Sequence, residues 1–302
     1  MSEFMQVSNK VCIITGSAAG LGKAYAEILL ENGARVCISD INDANGKETL
    51  VEFSKKFGKD HVHFVPCDVT KQDEFVNLFD ETEKYFKSQV EMLVNNAGIN
   101  PLLGWRKCMD VNIIGVMIGT EIATERMSKS SLKGTVINCA SLAGCVTGTT
   151  GLSNGAASYY ASKHACVSLS RDSATDYNKN GVVTKCLCPA YANTAIIKLD
   201  DQERQARFNK EINELGILEP REVAEGFYKL VNQCENGSVM AVVKGYPVFL
   251  IPDYGKTMVL GIGLISTIVG KLSGIEVVKP AHQLLCFLAF MILLLLFAGW
   301  IL

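Results

Sequence analysis

Lys10 to Asp40 reads KVCIITGSAAGLGKAYAEILLENGARVCISD. Lys10–Gly16 is a short apolar run closed by glycine, the pattern of a buried strand. TGSAAGLG follows at Thr15–Gly22, then a helical pattern over Lys23–Asn32 that Gly33 ends. Ala34–Asp40 is a second strand, closed by an acid. Strand, glycine turn, helix, strand and acid, in that order, make a dinucleotide-binding unit. The glycines let the backbone approach a pyrophosphate, and the helix N-terminus offers free N–H groups and a positive dipole end. Asp40, 18 residues after Gly22, is placed to accept hydrogen bonds from adenosine ribose hydroxyls. Its charge repels a 2′-phosphate, which favours NAD over NADP. A glycine cluster alone would fit a tight turn in any α/β protein; the flanking strand, helix and acid set this one apart.

The alternation continues outward. Asn42–Phe57 is helical and His61–Asp68 a strand, which puts Asp68 and Val69 beside the expected adenine site. His61 and His63 alternate along that strand and read as surface or packing residues rather than ligands. Lys71–Lys87 is an amphipathic helix. Glu91–Gly98 (EMLVNNAG) is strand four, ending in small residues and amides near the cofactor. Met109–Met127 is a long helix containing Asn112, Gly134–Ser141 strand five, and Ala157–Tyr177 a further helix. Val182–Ala190 is strand six, Ala195–Gly216 is charged with helical character, Pro220 opens a helix, and Ser238–Gly245 is strand seven. Strands alternating with helices of this length predict a parallel sheet covered on both faces.

Within this frame, Ser141–Lys163 (SLAGCVTGTTGLSNGAASYYASK) carries the chemistry. Tyr159 and Lys163 are four apart, so on a helix they share a face. A nearby ammonium favours phenolate over phenol, and a tyrosine so tuned can exchange a proton with an alcohol or carbonyl. Ser141 opens the stretch at the end of a strand.

Composition narrows the partners. A net charge of −2 over 302 residues gives no basic field for nucleic acid. Eleven cysteines, with Cys186 and Cys188 as C-x-C, show neither a disulfide framework nor zinc-like spacing. They read as reduced, mostly buried thiols. MSEFMQVSNK has no apolar core of a signal peptide. After Tyr254 the character changes: Thr257–Gly270 has fourteen uncharged residues and Leu284–Leu302 nineteen. Nineteen helical residues span ~28 Å, close to a bilayer core. The expected organisation is a catalytic domain at 1–254, a hydrophobic or interfacial connector at 255–279 and a C-terminal transmembrane helix at 280–302. The anchor would sit in the endoplasmic reticulum or another organelle membrane, with the catalytic domain facing the cytosol.

TGSAAGLG, NNAG, Asn112, Ser141 and YYASK, in this order, resemble the short-chain dehydrogenase/reductase family over roughly residues 8–250. Further likeness lies in Trp105 and Lys107, IGT at Ile118–Thr120, SLAG, YYASKH, NTAI at Asn193–Ile196 and GILEP at Gly216–Pro220. These are similar to members that oxidise hydroxy fatty acids and prostaglandins. The resemblance implies an α/β, Rossmann-type, doubly wound sheet of seven parallel strands and a homodimer built through the helices bearing Asn112 and Tyr159. It implies Tyr159 as general base and Lys163 as the group that lowers its pKa and holds the nicotinamide ribose. Ser141 would bind the reacting oxygen, and Asn112 a relay water at a helix irregularity. Gly16, Ser17, Gly20, Leu21, Gly22, Asp40, Ile41, Asp68, Val69 and Asn95 would line the cofactor with Tyr159 and Lys163. Thr194 would bind the carboxamide, beside Ala192 and Asn193.

Two departures bear on specificity. Pro189-Ala190 replaces the family's usual Pro-Gly. The Ser141–Tyr159 interval of eighteen residues exceeds the usual dozen or so, through a Gly/Ser/Thr-rich insertion at Gly148–Gly155. Ala156, a substrate-pocket position with Ser141 and Tyr159, stands where those lipid-oxidising members carry glutamine. The expected activity is NAD-dependent oxidation of a small hydrophobic secondary alcohol. The alternatives are NAD(P)H-dependent reduction of a steroid- or retinoid-type ketone, and an inactive cofactor-binding scaffold at a membrane.

Overall fold

The computed structural model describes residues 6–130, 134–146, 157–176, 181–197, 209 and 216–253. The chain divides into two compact units, Met1–Leu250 and Ile251–Leu302. The insertion Gly148–Gly155, Ala156, Thr257–Gly270 and the anchor at 280–302 lie outside the described residues.

The first unit alternates as β1 (Val11–Thr15), α1 (Gly20–Glu31), β2 (Arg35–Asp40), α2 (Asp43–Phe57), β3 (Val62–Pro66), α3 (Gln72–Phe86) and β4 (Met92–Asn95). Then come α4 (Trp105–Met109), a π turn at Asp110–Ile114, α5 (Gly115–Ser128), β5 (Gly134–Cys139), α6 (Ala157–Asp176), β6 (Val182–Pro189), α7 (Pro220–Gln233), β7 (Val239–Val242) and β8 (Phe249–Leu250). The sheet order is β3-β2-β1-β4-β5-β6-β7-β8. The first seven strands run parallel, as expected.

The expectation of seven strands is corrected to eight. β8 pairs antiparallel with β7 through Ala241↔Phe249 and Met240↔Leu250. Two exposed residues show neither a period nor a burial pattern for sequence reading to find. The helix expected as one piece over Met109–Met127 starts instead at Trp105 and is broken by the π turn that holds Asn112. His61 falls in a 3₁₀ turn, while His63 on edge strand β3 stacks on Tyr85 with centroids 4.0 Å apart. His63 is thus a packing residue.

Each face of the sheet carries its own core. Tyr25 and Leu29 of α1, Phe53 of α2, and Phe227 and Leu230 of α7 bury one face. Tyr25 and Phe227 stack at 4.6 Å, locking α1 to α7. Phe75 and Phe79 of α3 and Ile122 and Met127 of α5 bury the other. The strands are buried on both sides, so VCIIT and MLVN read as continuous apolar runs. α7 is started by Pro220 in its first turn and a Glu219–Glu222 capping box. The sheet order reverses between β1 and β4, opening a crevice at their carboxyl ends, where open α/β sheets bind ligands.

Candidate active site

The turn after β1 needs its glycines. Gly16 and Gly20 have φ of +62° and +56°, the left-handed region. A Cβ on Gly22 would sit 2.3 Å from the Gly16 carbonyl oxygen. α1 therefore starts tight against the turn, and no side chain caps its N-terminus. Across the turn Asp40 closes β2. Its Oδ2 accepts the Ala18 N–H at 3.1 Å and its Oδ1 the Asn42 N–H at 3.0 Å. Each oxygen keeps lone pairs for a further donor. Ile41 beside it is exposed, and Leu21 packs on the core.

Two of the expected cofactor residues have their side chains engaged inside the fold. Ser17 is fully buried; its hydroxyl donates to Ile14 O and accepts the Ser39 N–H. Asn95 is buried and donates to Asn138 Oδ1 at 2.9 Å and Thr120 Oγ1 at 3.2 Å. It pins β4 to β5 and α5, so these two residues offer the crevice backbone only. Val69 is likewise buried, close to Gly115. Asp68 accepts from the Thr70 N–H and hydroxyl.

Sequence reading missed the pair that shapes the switch point. Asn96 Nδ2 donates to Thr15 O at 2.9 Å and Gly16 O at 3.0 Å, while the Asn96 and Ala97 N–H groups both donate to Thr15 Oγ1 at 3.1 Å. These bonds tie the ends of β1 and β4. The second amide of NNAG was the available signal.

The expected chemistry-bearing residues lie just after β5 (Ser141), in the π turn (Asn112) and on α6 (Tyr159 and Lys163). Lys163 is 4 % exposed; its Nζ donates to Cys139 O at 2.9 Å and lies 5.7 Å from the Tyr159 ring centroid. Burial opposes its charge, but attraction from a Tyr159 phenolate and the neighbouring thiols outweighs that and lifts its pKa above the ordinary lysine value. Ser141 starts a 3₁₀ turn at Leu142–Gly144. Its Oγ accepts the Ala143 N–H at 3.2 Å and donates to Pro189 O at 3.4 Å. Gly144 lets this turn touch α6: a Cβ there would be 2.5 Å from Lys163 O.

Asn112 is fully buried in the π turn. Its Oδ1 accepts the Ile99 N–H at 2.8 Å, and its Nδ2 donates to Ile99 O at 2.9 Å and Ser162 Oγ at 3.3 Å. The side chain therefore clamps the chain after β4 to α6. A Cβ on Gly98 would lie 3.4 Å from Asn112 Oδ1 and 3.5 Å from Lys163 Nζ, so both polar ends converge on Gly98.

The segment after β6 closes over the turn. Ala190 keeps a negative φ and donates its N–H to Val242 O, so alanine serves where the family has glycine. Ala192 bridges Leu218, Asn193 bonds Leu218 O and Glu219, and Thr194 Cγ2 reaches within 3.3 Å of the position of a Gly20 Cβ.

This geometry has counterparts. The short chain dehydrogenase family model matches residues 10–205. The chain is 32 % identical over 266 residues to 15-hydroxyprostaglandin dehydrogenase [NAD(+)] of Homo sapiens, covering 84 % of this chain and 97 % of that protein. It is 33 % identical over 240 residues to a diacetyl reductase [(S)-acetoin forming] of Staphylococcus epidermidis, covering 72 % and 89 %. The crystal structure of levodione reductase matches with a TM-score of 0.70 at 24 % identity, over 79 % of this chain and 97 % of that one, and so shows the shared fold. With its glycine turn, its switch point and its buried lysine beside Tyr159, the chain belongs to the short-chain dehydrogenase family of oxidoreductases.

Proposed function

We propose that this protein oxidises the secondary alcohol of a lipid-like molecule, of hydroxy fatty acid or prostaglandin type, to a ketone with NAD. The observation that carries the reading is Lys163, buried, anchored on Cys139 O and 5.7 Å from the Tyr159 ring. The residues fit the cofactor. The glycine turn leaves no Cβ between backbone and pyrophosphate, the α1 N-terminus is uncapped, and Asp40 is held by two backbone N–H groups. Bound NAD would supply the hydride acceptor. Asp40 would take the adenosine ribose hydroxyls, and Thr194 the carboxamide end. Tyr159 would remove the hydroxyl proton, with Lys163 stabilising its phenolate and holding the second ribose. Ser141 would orient the reacting oxygen. The Asn112 side chain is occupied by Ile99, which leaves its main-chain carbonyl for a relay water.

A relative named for oxidising a prostaglandin hydroxyl with NAD supports this direction. A relative named as a reductase supports the reverse reading, reduction of a steroid- or retinoid-type ketone by the same residues. A screen of hydroxy fatty acids, prostaglandins, steroids and retinol by NADH fluorescence tests the reading. Turnover with a hydroxylated lipid supports it; turnover only of ketones with NADPH rejects both the direction and the Asp40 argument.

We read Leu284–Leu302, nineteen residues without charge, as a membrane anchor that holds the domain on the cytosolic face of an organelle membrane. Among the described residues no helix is long and apolar enough to cross a membrane. A lipid substrate partitions into such a bilayer, which supports pairing the anchor with this activity. A homodimer through the π turn, α5 and α6 is supported by Ile114 and Met117, apolar side chains exposed there. Flotation with liposomes and light scattering test these two readings.

A further inference from the structure

A row of four thiols runs from the surface into the sheet beside the Ser141 turn. Cys145 ends that turn and is half-buried. Its Sγ lies 3.7 Å from Cys188 Sγ on β6, 43 residues away. Cys188 Sγ lies 4.0 Å from Cys186 Sγ, and the Cys186 thiol is hydrogen-bonded by Cys166 of α6. All but Cys145 are buried. Among the described residues no group of three or more side chains has the geometry of a metal site. Only the first member of the row, Cys145, is open to a reagent.

We propose that Cys145 and Cys188 are a peroxide-oxidisable pair that forms a disulfide and clamps the Ser141 turn to the end of β6. A disulfide needs sulfur atoms about 2.05 Å apart. From 3.7 Å the gap closes by roughly 1.7 Å, within reach of side-chain rotation and a small loop shift. Cys145 is the half-buried member of the pair and Cys188 the buried one, and the hydrogen bond between them holds the Cys145 thiol below its ordinary range against the opposing effect of burial, so Cys145 is the attacking sulfur.

The oxidation proceeds in two steps. The Cys145 thiolate attacks a peroxide oxygen; an S–O bond forms, the O–O bond breaks, and the departing hydroxide takes a proton to become water. Cys188 sulfur then attacks Cys145 sulfur; an S–S bond forms, the S–O bond breaks, and the hydroxyl leaves with the Cys188 proton as a second water. Two thiols lose two electrons and one hydrogen peroxide becomes two waters.

The clamp acts on the site because both of its ends are already joined there. Ser141 Oγ donates to Pro189 O, next to Cys188, and Ala190–Thr194 follow at once. This consequence rests on the proposed roles of Ser141 and Thr194.

The test treats the detergent-solubilised full chain with hydrogen peroxide, blocks remaining thiols and maps cross-linked peptides by mass spectrometry. The expected product is a Cys145–Cys188 peptide that dithiothreitol removes and that Cys145→Ser does not form. In Cys188→Ala, dimedone should label Cys145 as the stranded sulfenic acid. Cys234, the other half-buried cysteine among the described residues, makes its sulfur contact with Lys229 O, and Cys234→Ser should leave the cross-link unchanged. A cross-link through Cys186, no cross-link, or no dimedone label overturns the pair. On any hydroxylated lipid the reduced chain turns over, oxidation should lower the rate at least tenfold and dithiothreitol restore it. A mapped disulfide with unchanged rate overturns the clamp. A mapped disulfide in a chain that turns over no substrate supports the pair and counts against the dehydrogenase reading.

Discussion

Lys163 Nζ stands 5.7 Å from the centre of the Tyr159 ring, held there by a 2.9 Å hydrogen bond to Cys139 O. The carbonyl at the end of β5 thus sets where the ammonium sits on α6. Lys163→Met keeps the buried volume but removes charge and donor. It should lower kcat by roughly 10²-fold or more and raise the KM for NAD, with the folded state retained by circular dichroism. Lys163→Arg should not rescue, because a planar fork does not replace a point charge in a closed site.

Asp40, proposed to take the adenosine ribose hydroxyls, is likewise fixed in place, by the Ala18 and Asn42 N–H groups. Asp40→Ser should weaken NAD binding and shift the NAD-to-NADP affinity ratio at least about tenfold toward NADP, ~1.4 kcal/mol. Titration of protein fluorescence with both cofactors measures this. An unchanged ratio would mean the carboxylate only supports the turn.

The glycines separate close approach from conformational strain. Gly22→Ala would drive a methyl to 2.3 Å from the Gly16 carbonyl oxygen, whereas Gly181, at φ +75°, has nothing within 4 Å. Gly22→Ala should cost about 3 kcal/mol, the upper end for overpacking, and abolish NAD binding. Gly181→Ala should cost about 1 kcal/mol of left-handed strain and leave binding intact. Thermal midpoints with and without NAD distinguish the two.

Most of the fold, and the closeness of Tyr159 and Lys163 on one helix, were legible because they rest on local pattern. Apolar runs alternate with helical periods, and Tyr159 and Lys163 lie one helical turn apart. What sequence could not show was side-chain direction and distant pairing. NNAG marks a cofactor edge, but only packing turns Asn95 inward to Asn138 and makes Asn96 the residue that holds Thr15 and Gly16. β8 escapes notice because two exposed residues have no period. Cys145 and Cys188 meet only because the turn after β5 folds onto the neighbouring strand.

Lys185 gives a pH dependence of stability independent of catalysis. Its Nζ is buried and donates to Leu230 O and Val231 O in the last turn of α7, and burial lowers its pKa to about 8. The unfolded chain, near the ordinary 10.5, binds more protons between these two values, so this group makes stability rise with pH across that window. Below about pH 8 the fold carries the full cost of the buried charge, on the order of 3 kcal/mol. The difference in thermal midpoint between wild type and Lys185→Met should therefore change between pH 7.5 and 10, in favour of wild type at the higher pH. A constant difference would show that the ammonium is solvated.

In the proposed reaction Tyr159 moves the proton while NAD takes the hydride. The direct measurement is NADH formation by the full chain on the hydroxylated lipid giving the highest turnover, wild type against Tyr159→Phe. The phenylalanine keeps the ring beside Lys163 and loses only the hydroxyl. Wild type should form NADH and the variant should be slower by roughly 10²-fold or more, with NAD affinity unchanged. Wild-type rates in Tyr159→Phe would contradict this role of Tyr159.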